Sequence, residues 1–217
     1  WSMSMASLFN PPGVIGSRGK GKNNDPATLP ALLNLCEATK TNPWFQFEMH
    51  MSDGEWLAFA EWFAAPFDPA KDSPETMPWA AKRVACGRTA PWSDAFSRIY
   101  FEISNETWNP IFKPWTWVGE TYRDQDGNEV NGYAVAGMLN ERVMTILRSS
   151  PYWSAELDAK FRLIIGGWIG QGKADGAGAM QAQHCPSTWA VTFAGYNGGW
   201  DEGEGPAGAD REAVAKA

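Results

Sequence analysis

Over residues 98–104 the chain alternates strictly. Ile99, Phe101 and Ile103 share one parity, and Tyr100, Glu102 and Ser104 share the other. Period two is the signature of a strand with two unlike faces. The same alternation runs through 44–50, where Phe45, Phe47 and Met49 oppose Trp44, Gln46, Glu48 and His50. Residues 162–169 and 188–196 read as two further strands. Between strands the period changes. Leu29, Leu32, Leu33 and Cys36 recur at helical spacing and predict a helix over 27–40. Ser52 with Glu55 makes a capping box that opens a helix carrying Trp56, Phe59, Ala60 and Phe63 on one face. A short helix is predicted over 79–87. Val135, Met138, Leu139, Val143, Ile146 and Leu147 outline an amphipathic one over 133–149. A Gly-rich loop and a short helix separate the last two strands. Strands alternating with helices predict parallel βαβ units. An antiparallel sheet with one wet face would alternate as well, but the intervening helices favour the parallel arrangement.

Length and charge narrow the class. The 217 residues suit a single domain, 1–217, with one sizeable core. A net charge of −7 argues against nucleic acid or an anionic membrane as partner. No apolar run approaches the ~18 residues of a transmembrane helix. Thirteen Trp, with 22 Gly and 15 Pro, indicate a loop-rich fold with more indole than a core needs. About a quarter of these rings are expected to face a ligand, because amphipathic rings favour half-buried sites. Cys36, Cys86 and Cys185 show no CxxC spacing and read as buried thiols, with one disulfide if the protein is exported.

Candidate chemistry concentrates where the 98–104 strand stops. Asn105-Glu106 follows at once, and Trp108 lies two residues beyond. A carboxylate fixed at a strand end, beside an amide and an indole, suits glycosidic bond cleavage. The competing motifs are weaker. Gly167 to Lys173 nearly matches a phosphate loop, but Ala174 stands where the hydroxyl for Mg²⁺ is needed. Asp124 to Asn128 resembles part of a calcium loop, yet Asp126-Gly127 among polar residues reads as a tight turn. Asn140-Glu141 repeats the dipeptide in mid-helix, where it reads as surface. With only His50 and His184, His and Cys form no metal-ligand cluster at recognised spacing. No metal or organic cofactor is implied.

Ser104-Asn105-Glu106-Thr107-Trp108-Asn109 resembles the Asn-Glu motif of the clan A glycoside hydrolases. These are (β/α)8-barrel enzymes whose acid/base Glu follows an Asn at the end of the fourth strand. Asn42 to His50 is similar to the clan's third strand, which often ends in His, and Ala194-Gly195-Tyr196 to the end of its sixth. The resemblance spans roughly 27–200 and implies an α/β fold of TIM-barrel type, incomplete, with four to five βα units. A complete barrel usually needs about 250 residues, so an internal piece of a longer parent chain is expected.

The resemblance further implies a retaining glycosidase acting on a poly- or oligosaccharide, in an extracellular or periplasmic setting. Glu106 would be the general acid/base, its proton affinity raised by walls such as Trp108, Trp115 or Trp117. Asn105 would bind the hydroxyl beside the anomeric carbon, and His50 and Tyr196 would contact the sugar or orient the nucleophile. Trp108 and Trp168 would offer stacking faces. In a barrel, His50 and Glu106 would share the C-terminal rim, although Asn105 has the wrong parity unless the strand ends in a bulge. The seventh-strand nucleophile has no counterpart: Asp201, Glu202 and Glu204 lie in a Gly-rich stretch without strand character. A non-catalytic carbohydrate-binding or structural barrel module is the alternative expectation.

Overall fold

The computed structural model describes residues 5, 28–47, 49–109, 122–168 and 176–194. Four parallel strands pair side by side in chain order: β1 (Trp44–Phe47), β2 (Ile99–Ile103), β5 (Phe161–Trp168) and β6 (Thr188–Ala194). Helices α1 (Leu29–Thr39), α2 (Asp53–Ala64), α3 (Pro78–Ala85), α4 (Gly132–Ser149), α5 (Ala155–Lys160) and α6 (Ala177–Gln183) punctuate them. A small antiparallel hairpin, β3 (Tyr122–Arg123) with β4 (Glu129–Val130), precedes α4. The parallel α/β arrangement expected from the pattern is therefore present. Most strands and helices end a residue or two inside or outside the expected limits, and β1 stops at Phe47, earlier than expected. Helix α5 was not anticipated.

Local chemistry accounts for the helix boundaries. Ser52 Oγ accepts from Glu55 N–H while the Glu55 carboxylate accepts from Ser52 N–H, the reciprocal box read from the sequence. Thr28 and Asn131 cap α1 and α4 by the same side-chain-to-backbone logic. Between β3 and β4, the Asp124 carboxylate accepts from the N–H groups of Asp126 and Asn128 and from Asn128 Nδ2. With Gly127 at φ 84°, this is a tight turn.

One parity of the sheet carries the core. Phe45, Phe47, Ile99, Phe101, Ile103, Phe161, Leu163 and Ile165 pack under residues of α1, α2 and α4. Phe101 meets Phe45, Phe47, Trp56, Phe59 and Phe161 with ring centroids 4.9–6.4 Å apart. Among the described residues none of the opposite parity joins that cluster, although Ile164 is buried on the other face. There the register lines up Trp44, Tyr100 and Arg162, then Gln46, Glu102 and Ile164, then Gly166 with Thr192. A register shift in β6 beside Leu163/Ile164 turns Trp189 onto this face, its ring 5.8 Å from Tyr100 and under Arg162. Trp44 and Trp189 are each 50% exposed.

Three expectations are corrected. Met138 is exposed, because α4 turns Ala136, Gly137 and Asn140 inward instead. A methyl group at Gly137 would lie 2.3 Å from the Gln181 carbonyl oxygen, so only glycine lets α4 and α6 approach this closely. The Asn140-Glu141 pair is not surface. Asn140 is buried and donates to the Ala136 carbonyl, and the half-buried Glu141 carboxylate accepts from the backbone and hydroxyl of Ser187. All three cysteines are free and Cys86 is exposed. The buried Cys185 thiol is pushed up to about 11 by burial, with the Glu141 carboxylate adding to the effect and Thr188 opposing it. No described helix is long and apolar enough to cross a membrane.

Candidate functional site

Beyond Ile103 the chain leaves β2 through a strained turn. Ser104 and Glu106 both adopt left-handed backbone angles, φ 63° and 46°. Each such residue without glycine costs about 1–2 kcal/mol, so the surrounding contacts must over-determine it. They do so from both flanks. On the β1 side, Gln46 Nε2 donates to the Ser104 carbonyl at 2.9 Å and Met49 N–H donates to Ser104 Oγ at 3.2 Å. On the β5 side, Thr107 Oγ1 donates to Gln181 Oε1 at 2.9 Å, and Gln181 Nε2 reaches the Gly166 carbonyl at 3.4 Å. Ser104, Thr107 and Gln181 are buried. The positive angles interrupt strand parity at Ser104, which is why simple alternation could not orient Asn105.

Within the turn, Glu106 is half-buried and its Oε2 accepts from Asn109 Nδ2 at 2.9 Å. Asn109 N–H also donates to the Glu106 carbonyl at 2.8 Å. The motif's second Asn thus holds the carboxylate from within the same turn. Asn105 is half-buried, and His50, exposed, follows the same C-terminal edge just past β1. Trp108 is buried rather than open: its ring stacks on Trp168 at 5.7 Å and 16°. Trp168, 37% exposed at the end of β5, keeps the accessible face of the pair. Tyr196, Trp115, Trp117, Asp201, Glu202 and Glu204 lie outside the described residues, as does most of 167–173. Gly167 itself packs against Gly178 of α6, where a methyl group would come within 3.2 Å of backbone, so close helix–strand contact explains that glycine.

The carboxyl whose proton affinity burial raises is one that motif reasoning passed over. Glu102, on the core-free face of β2, is pushed up to about 7 by burial, with side-chain hydrogen bonding from Trp44 and Gln46 acting in the opposite direction. Gly166 on β5 makes room for it: a methyl group there would stand 2.8 Å from Glu102 Oε1. Its parity in the strand was legible. Its burial depends on β1 and β5 flanking it, which no local pattern encodes.

Among the described residues two cavities lie elsewhere, one of about 170 Å³ between Trp62, Arg83, Arg88 and Trp92, the other of about 390 Å³ beside Trp79 and Tyr152. Neither is lined by the 104–109 turn. Among the described residues no group of three His, Cys, Asp or Glu side chains converges to hold a metal. No family model, curated protein or solved structure matches this chain.

Proposed function

We propose that the chain is a segment of a retaining glycoside hydrolase of the (β/α)8-barrel type, with Glu106 as general acid/base. One observation carries the reading. The Asn105-Glu106 turn stands at the C-terminal edge of a parallel sheet whose strands follow chain order, the edge at which barrel active sites form. The Trp168 face offers an apolar platform beside it, His50 follows the same edge, and Asn105 supplies an amide for a sugar hydroxyl. In this mechanism Glu106 protonates the leaving oxygen and, as carboxylate, then deprotonates the incoming water. The nucleophile would stand about 5 Å away, contributed by chain outside the described residues.

Turnover of aryl glycosides and soluble polysaccharides, read as released phenol or reducing ends, tests the assignment. Glu106→Gln should lower it 10²- to 10⁴-fold while glycan retardation in affinity gels persists. Equal turnover by the wild type and Glu106→Gln would overturn the role of Glu106. The exposed indoles Trp44, Trp168 and Trp189 favour one second reading, a carbohydrate-binding module without catalysis. Binding with no turnover selects it, and absence of both overturns both readings.

A further inference from the structure

Glu102 and Gln46 face one another across the β1–β2 pair, and Gln46 also holds the carbonyl of Ser104, the first left-handed residue of the turn. On its other side Glu102 fills the space over Gly166, whose carbonyl receives Gln181, the partner of Thr107. Both braces of the 104–109 turn therefore end on residues that touch one carboxyl. We infer that Glu102 is a positioning residue: its protonation state, passed through Gln46 and Gly166, sets the geometry of the turn that presents Asn105 and Glu106. That this turn is a glycosidase's rests on the reading above; the coupling itself does not.

The physical cause is an exchange of partners. As a carboxylate, Glu102 draws on one hydrogen of the Gln46 amide while the Ser104 carbonyl accepts from the same nitrogen, so the position of that amide answers to both acceptors. As a neutral acid it makes a weaker claim and has a proton of its own to donate. Burial places this exchange near neutrality. Among the described residues, the other ionisable groups of this face near Glu102 are Tyr100 on its own strand and Arg162 on β5. Neither β1 nor the register partners on β6 contribute a charge. A change in the turn then alters how Glu106 meets the leaving oxygen without Glu102 touching substrate.

The test is a nuclear magnetic resonance titration of the whole chain between pH 5 and 9. The Ser104 and Asn105 amides and the Gln46 side-chain amide should move together with a midpoint near that of Glu102, about 7. Glu102→Gln, nearly isosteric and unable to titrate, should leave them flat, which separates this titration from that of any histidine. Gly166→Ala, which displaces the carboxyl, should lower the midpoint towards the ordinary carboxylate range. Flat amides in the wild type, or the same transition surviving in Glu102→Gln, would overturn the inference. The readout needs no substrate, so it stands or fails apart from the Glu106 assignment. If turnover is found, Glu102→Gln should flatten the same limb of the kcat profile with KM nearly unchanged.

Discussion

The two faces of one sheet solve opposite problems. The helix-covered face buries Phe45, Phe47, Phe101 and Phe161 against α2 and its neighbours, in a cluster of tilted and edge-on rings. The other face carries Trp44 and Trp189 half exposed, with Gln46, Glu102 and Arg162 between and above them. Parallel sheets ordinarily bury both faces. Here one face carries the large aromatic core, whereas the other sets Gln46, Glu102 and Arg162 at intermediate exposure beside the buried Ile164. A single strand serves both: Phe101 and Glu102 are neighbours in sequence and belong to different chemistries.

Substitutions sharpen this contrast. Phe101→Ala should be the most damaging, about 3–5 kcal/mol in urea unfolding, because five rings lose a partner and a cavity remains. A cost below 1 kcal/mol would mean that the core is loosely packed. Glu102→Gln should change the pH dependence. The folded-state value of about 7 exceeds the ordinary 4.5, so the folded chain holds a proton that the unfolded chain has released. Stability from this group is complete below about pH 4.5 and is lost as pH rises to about 7. Each unit is worth about 1.4 kcal/mol, so the wild type should lose on the order of 3–4 kcal/mol across that window relative to Glu102→Gln. Parallel pH–stability curves for the two would refute it. Gly137→Ala should cost about 1–3 kcal/mol by forcing α4 from α6, and no loss would show that the helices separate freely. Trp44→Phe should leave stability within about 0.5 kcal/mol. It should nevertheless raise the Glu102 midpoint, because the lost indole N–H favoured the carboxylate.

Periodicity located β1, β2, the main helices and the inward faces of both strands, since alternation and capping are properties of a few consecutive residues. The Ser52–Glu55 box and the Asp124–Asn128 turn were legible for the same reason. The candidate site was legible only as a place, the end of β2 at Asn105-Glu106. Its form was not. Left-handed angles at Ser104 and Glu106 persist because Gln46, Met49 and Gln181 hold them, and those residues lie far away in the chain. Likewise Glu102 was visible as the polar member of an alternating strand. Only the flanking of β2 by β1 and β5, with glycine at 166, turned it into a half-buried acid of raised proton affinity, because desolvation depends on what surrounds a group in space.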